Sequence, residues 1–545
     1  MRLSRGGEKS MLHGLPVRAP SRSYDPYAAG AEVAGRQASV IAGPGSVPPD
    51  GTQRKRKGRS MDRFTKKGRS AGRNRLVAVV GALFTIAVVA LVASGAMAAN
   101  SGKAGASATP IKIGILSDCQ GDFGSFYNQD LAGSIAAFVE FTGAKAKNPN
   151  NPSAGMVGGS ISGHPIQIVG FGCSNDTAGM AITQTRRLME QLGAQIMIGP
   201  LSGDESIAVA NYAKAHQQWT FLDGAAGAQD TTLKVQAPNF FRFNGDGAMW
   251  NAGLGDFAVR KLGWKNAAVI SDDYSFAWTS TAGFIADFCA AGGNITKRVF
   301  PPLNTTDYSS FVQQLPTLGT GASDTNGVFW AVGGSGLLSA LKAYETAKGP
   351  IKSSQTTGNL FWGTPGEFQA LSNDVAGTYV GGGEEAGDLK TAAALHYNSV
   401  ITSTFKKIPP FGSSVGQQAS IFVYDYFANT EGLIKGLQAV NGDLSNNESA
   451  LKAALAKVQL TTAYSTMTLD ANRNAIENVY IDQLYKNSKN QLAIKTVAMV
   501  PKVNQTFGGV FSHATPSPGR TFPTCVHKKL PWTGKEIPVV NGVNK

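Results

Sequence analysis

The chain has 545 residues, 42% of them hydrophobic, four cysteines and a formal net charge of +14. That length allows two or three domains and is too long for one ordinary domain. The charge is not spread evenly: residues 1–75 hold 17 Lys and Arg against 5 Asp and Glu, leaving 33 against 31 for the remainder, so the body is nearly neutral and the sequence argues against a nucleic-acid partner.

Residues 1–60 are rich in Gly, Pro, Ser and Arg without periodicity. The basic block of residues 1–75 leads directly into the uncharged run LVAVVGALFTIAVVALVA (76–93), and Ala96-Met97-Ala98 follows as a small-x-small motif. That order is the order of a secretory signal, and the run is also long enough to stay as a membrane anchor. A chain starting at Met61 would carry an ordinary basic n-region; residues 1–60 are otherwise a cytoplasmic extension. In either case the residues from about 100 onward are expected outside the cytoplasm.

Residues 99–110 have linker composition. Then strands and helices alternate. IKIGILS (111–117) reads as a buried strand, and Leu131, Ile135, Phe138 and Val139 mark a helix. PIQIVGF, a helix from Thr177, QIMIG (195–199), a helix over 205–215 and WTFLD (219–223) continue the series. A second series follows: helix 247–262, AAVIS (267–271), helix 280–291, KRVF, helix 308–315, GVFWAV, helix 335–347 and NLFWG (359–363). Thr378–Gly383 reads as a crossing segment. Helices are expected over 389–407, 416–439 and 447–457, then strands MTLD, VYIDQLY and LAIKTVAMV, and an irregular Pro-rich tail from about 504. Continuous apolar strands separated by helices mean an α/β fold with parallel sheets covered on both faces. Ligands bind such sheets at the carboxyl ends of the strands, which points to the loops starting at Asp118, Gly172, Pro200 and Gly224.

Several segments, in this order, resemble the leucine/isoleucine/valine-binding proteins of ABC importers, a branch of the type I periplasmic binding proteins. They are IKIGILSDCQGDFGSFYNQDLAGSIAAF, GGSISGHPIQIV, MIGPLSGDESIAVA, FLDGAAGAQD, NAAVISDDYSFAWTS and TTDYSSFVQQL. The resemblance covers roughly residues 110–500. It implies two doubly wound lobes joined by three hinge crossings near 243, 381 and 473. Lobe 1 would be 111–243 with 382–472, and lobe 2 would be 244–381 with 473–503, followed by the tail 504–545.

The resemblance also implies a site. Phe126 falls where the family has an aromatic from the first loop. Ser202, Gly203 and Asp204 fall in one carboxylate-binding loop, and Ala225, Ala226 and Gly227 in another. Phe276 takes the aromatic position of the second lobe, and Gly333 stands where a Tyr is common. Glu367 is the acid nearest the position, around Pro365, that should meet a ligand ammonium. Hydroxyl residues usual at Gly203 and Gly227 are missing, and Asp204 places a negative charge beside a docking carboxylate. These departures turn the expectation from a free branched-chain amino acid toward a neutral, amide-like or larger apolar ligand.

Plainer readings stand beside these. Phe126 and Phe276 are equally core packing, Asp204 a helix cap, Glu367 a solvated side chain, and Trp278 and Trp330 core. Cys119 and Cys173 each end a strand expected to neighbour the other, which suits a disulfide. Cys289 with Cys525 is the remaining pair, stapling the tail to the second lobe, or else two free thiols.

Catalytic patterns are poor. Ser403–Lys406 matches S-x-x-K late in a helix without its partner motifs, and Gly412–Gly416 matches G-x-S-x-G after two prolines rather than after a strand. The six histidines have no paired spacing, so neither metal nor cofactor is expected. The expected function is capture of a small molecule by lobe closure for an ABC permease, as a monomer and not as an enzyme. A membrane-tethered sensor of the same fold is the alternative, and a secreted α/β hydrolase is a weaker one.

Overall fold

Two parallel sheets follow from the two series of apolar strands. The structure is a computed structural model that describes residues 108–334, 336–364, 370–385, 388–409 and 420–545, the side chain of Asn373 excepted. All of these fall in one unit, Asn100–Lys545. The apolar run 76–93 and Glu367 lie outside the described residues. Among the described residues no helix is long and apolar enough to cross a membrane.

The first sheet is built from β1 (Ile111–Asp118), β2 (His164–Ser174), β3 (Ile196–Ile198), β4 (Thr220–Leu222) and β5 (Phe240–Phe241). They run parallel in the order β2-β1-β3-β4-β5, with the short strand Ser160–Ile161 antiparallel on the β2 edge. Ile113, Ile115 and Leu116 of β1 are fully buried, as central strands covered on both faces require. Helices α1 (Tyr127–Thr142), α2 (Ala178–Arg186) and α3 (Gly203–Ala215) connect them.

The second half repeats the pattern. α4 (Leu254–Leu262), β6 (Asn266–Ser271), α5 (Ser275–Ala290), β7 (Asn294–Val299), β8 (Gly327–Ala331), α6 (Gly336–Lys348), β9 (Thr356–Gly358) and β10 (Tyr379–Gly383) follow in chain order. The parallel strands take the order β7-β6-β8-β9-β10. α7 (Ala392–Thr404), α8 (Ile421–Ala439) and α9 (Ser445–Leu455) come next, and α8 packs along α1 of the first half. β11 (Ala475–Lys486) and β12 (Leu492–Val503) then return to extend the second sheet in antiparallel fashion. Both sheets have the doubly wound order whose strand reversal opens a crevice at the carboxyl edge.

Four expected elements differ. The helix expected over 247–262 is broken: Met249–Asn251 forms a 3-10 turn, and Gly253 at φ +85° precedes α4. A Cβ at Gly253 would lie 2.8 Å from Val500 and 2.9 Å from Ile481, so this close approach to the sheet needs glycine. NLFWG is not a strand; β9 ends at Gly358, and Leu360–Gly363 is a 3-10 turn begun by the Asn359 side chain, which accepts the Phe361 N–H at 3.3 Å. Thr378–Gly383 is mostly strand β10, hydrogen-bonded between β9 and β11. The tail is not wholly irregular, because β13 (Ile537–Val540) pairs antiparallel with β12 and turns into β14 (Val543–Asn544). β13 is a short apolar run, Ile-Pro-Val-Val, and it adds to the edge of β12.

Candidate functional site

The loops at the carboxyl ends of both sheets meet in one place. After β1 the chain makes a 3-10 turn, Gly124–Phe126, and the Cys119–Cys173 disulfide ties the ends of the adjacent strands β1 and β2 with a Cα–Cα distance of 5.1 Å. After β4 the loop Gly224–Ala228 rests on Arg242. This fully buried guanidinium pairs with Asp223 at 2.6 Å and donates to the Ala228 carbonyl at 2.8 Å. Asn429 of α8 donates to the Gly224 carbonyl at 3.0 Å.

These loops and the opposing ones enclose a small cavity of about 20 Å³, room for about one water. Its wall is Phe123, Trp250, Tyr274, Phe276, Phe361 and Phe422 with Leu201 and Leu360, and its polar edge is Ser202, Gly203, Ala225 and Gly227. The rings touch one another: Phe123 stacks on Phe361 at 5.6 Å, and Phe276 meets Phe361 edge-on at 5.7 Å and Trp250 at 5.8 Å. Among the described residues no lining side chain is charged.

The expected site residues divide. Ser202, Gly203, Ala225, Gly227 and Phe276 line the cavity. Ala226 is fully buried beside them. Phe126 lies behind the wall, its ring centroid 4.3 Å from that of Phe422 and 6.1 Å from that of Phe361, and Phe123 takes the cavity-lining place in the loop. Gly333 leaves room for the Phe361 ring, which a Cβ would meet at 2.2 Å, and its N–H donates to Asp272. Asp204 does not cap its own helix. Its Oδ1 accepts the Ser275 N–H at 3.2 Å, at the start of α5 in the second sheet's half, where α5 has no side-chain cap of its own. The missed residues are the aromatics Phe123, Trp250, Tyr274, Phe361 and Phe422. Phe361 was concealed by reading NLFWG as a strand, and Phe422 by its place in a helix.

The N-termini of α3 and α5 therefore face each other across the crevice. The hydroxyls of Ser202 and Ser275 are buried there and make no hydrogen bond within the described protein. Beneath the loops lie Asp118, Asp176 and Glu205. Burial pushes Asp118 well above the usual carboxylate range, with Glu205 adding to it, and Asp118 accepts the N–H groups of Asp176 and Ser202. Burial raises Asp176 to about 8 and Glu205 to about 7. Acids so raised are partly or wholly protonated near neutral pH, which leaves the cavity with little net charge. Trp278 bonds Asp273 at 3.0 Å, and Trp330 is core. Among the described residues no cluster of His, Cys, Asp and Glu could hold a metal ion.

Two parallel-sheet halves whose carboxyl edges meet over an aromatic-walled cavity, uncharged among the described residues, have the architecture of a cleft-binding protein. Residues 110–489 match the family model described as periplasmic binding protein, and the chain belongs to that family, in its type I branch. Its members are extracytoplasmic solute-binding proteins rather than enzymes. Among solved structures, a solute-binding protein of an ABC transporter from R. palustris in complex with benzoate is similar over 72% of this chain and 98% of its own, at 20% identity and a TM-score of 0.58. An ABC transporter substrate-binding protein from Sphaerobacter thermophilus shares 19% identity over 73% of this chain and 99% of its own, with a TM-score of 0.60. A leucine-binding protein from Thermotoga maritima shares 15% over 72% and 99%, with a TM-score of 0.56. No curated protein matches the chain.

Proposed function

We propose that this protein is the extracytoplasmic solute-capturing component of an ABC-type importer. Its lobes, hinged at crossings near 243, 381 and 473, close over one small ligand and present it to a membrane permease. The observation that carries this reading is the aromatic-walled cavity between the two halves, crossed by the Asp204–Ser275 hydrogen bond. Contacts to a ligand from both sides would favour the closed state over an open one. The wall suits a flat apolar body, and the Ser202 and Ser275 hydroxyls suit one polar end. With no cationic side chain in the lining among the described residues, an amide or a neutral aromatic fits better than a free amino acid.

The test is a thermal-shift and calorimetry panel of benzamide, benzoate, phenylalanine, leucine and urea on the purified protein. A ligand at about 100 times its Kd adds about 2.7 kcal/mol of stability. One saturating site is expected, strongest for the neutral aromatic. The same titration on Gly227→Leu is expected to show at least tenfold weaker binding. A Cβ at Gly227 already reaches 2.3 Å from Phe276 and 2.5 Å from Trp250, so the larger side chain fills the cavity. Saturable binding that Gly227→Leu leaves intact would remove the cleft as the capture site.

A further inference from the structure

Residues 504–545 lie beyond the family match, which ends at residue 489. They hold five Lys and Arg against the single acid Glu536. The segment is fastened to the second sheet's half by three devices. Cys525 is bonded to Cys289 of α5, β13 pairs with β12, and Trp532 Nε1 donates to the buried Asp287 at 2.8 Å. Phe507, Phe511, Leu530 and Trp532 share a core with Ala286 and Ala290 of α5.

This packing leaves a cavity of about 220 Å³ that shares no lining residue with the cleft. Its apolar surface includes Val510, Phe522, Leu530 and Val526, the last 58% exposed at the surface. Lys528 and Lys529 line it too, and neither ammonium makes an ion pair or a side-chain hydrogen bond among the described residues. A third cation stands beside it: Arg298 donates to the carbonyl of Pro523, a lining residue, at 2.6 Å and has no carboxylate partner. Arg520, by contrast, is already paired with Asp273. Burial pulls the Arg298 pKa down, the signature of a charge taken partly out of water without compensation.

An apolar hollow with unpaired cations at its edge matches a ligand that has an apolar body and one negative end. We infer that the C-terminal segment forms a second binding site, for an amphipathic monoanion of the medium-chain alkyl or aryl carboxylate class. The carboxylate lies against Lys528 and Lys529, and the chain or ring against Phe522 and Leu530. The concave shape excludes a flat surface as its occupant, and the site stands whether or not the cleft takes the ligand proposed above.

The test titrates the purified protein with octanoate by calorimetry at low ionic strength. Octylammonium, with the same tail and opposite charge, and acetate, with the same head and no tail, run beside it. Octanoate is expected to saturate one site and the other two are not. The double variant Lys528→Ala/Lys529→Ala is expected to bind octanoate at least tenfold more weakly with an unchanged unfolding midpoint, since both side chains are exposed. Gly227→Leu is expected to bind it as the parent does. The inference is overturned if octanoate does not saturate, if octylammonium binds equally, if the double variant binds like the parent, or if Gly227→Leu abolishes binding and so places octanoate in the cleft.

Discussion

At the scale of single residues, Asp204 changes meaning most. Read along the chain it is an acid in the first turn of α3, either a cap for its own helix or a repulsive charge beside a ligand. In the folded protein it caps α5 in the opposite half, through the Ser275 N–H at 3.2 Å. A hydrogen bond to a charged acceptor contributes about 1.5–3 kcal/mol when formed. In the lobe closure proposed above this bond would be lost on opening, and so would stabilise the closed state selectively. Asp204→Ala is therefore expected to weaken ligand affinity about tenfold, the equivalent of 1.4 kcal/mol, and to enlarge the radius of gyration of the unliganded protein in solution scattering. Equal affinity in the variant would show that Asp204 does not act in closure. The exchange of Phe126 for Phe123 belongs to the same scale. Both side chains are apolar and three residues apart, and only the turn Gly124–Phe126 decides which one reaches the cavity.

At the scale of elements, glycine and asparagine decide the breaks. Gly253 and Asn359 end runs whose apolar content alone would continue, because one permits a positive φ and the other bonds the backbone two residues on. The C-terminal segment shows the converse, a run of weak local preference held by distant partners. The Cys289–Cys525 bond closes a loop across a sequence separation of 236, with a Cα–Cα distance of 5.4 Å. Cys525→Ser is expected to lower unfolding stability by about 2–4 kcal/mol in denaturant titration under oxidising conditions. No loss would mean that β13 and the Trp532–Asp287 bond hold the segment unaided.

At the scale of the whole molecule, buried acids collect near the proposed crossings at 243, 381 and 473. Asp246, Glu384 and Glu477, one near each proposed crossing, and Asp425 of α8 are all fully buried. Burial raises every one of them, Asp246 to about 6; Asp425 and Glu384 share a side-chain hydrogen bond, and both carboxyl oxygens of Glu477 make no hydrogen bond among the described residues. The cation nearest to Asp246 is Arg242, already paired with Asp223. Asp287 and Asp482 are raised to about 7 and Asp176 to about 8. A carboxyl whose folded pKa exceeds its unfolded value of about 4 binds more protons when folded, so stability is lost as pH rises through that interval. Asp256, held low by Glu536, Arg260 and the Gly534 N–H, has the opposite sign and acts only at more acidic pH. The unfolding midpoint is accordingly expected to fall between pH 5 and pH 8, and Glu477→Gln to flatten that slope. A midpoint that rises across this range would contradict the protonated state of these groups.

The sequence by itself determined the alternation of buried strands and helices, the α/β class and the family. Those depend on local periodicity and on motif order, which survive without knowledge of contacts. The strand-end rule pointed to the loops starting at Pro200 and Gly224, and the family resemblance named Ser202, Gly203, Ala225, Gly227 and Phe276, which line the cavity. Tertiary structure alone decided which aromatics complete the wall, since Trp250, Tyr274, Phe361 and Phe422 come from segments far apart in the chain. It alone made Asp204 a partner of the opposite half, buried four carboxyls near the proposed crossings, and gave the tail a strand and a cavity. Each of these depends on surfaces that exist only after the two sheets have packed, and no pattern within one segment records what another segment will present to it.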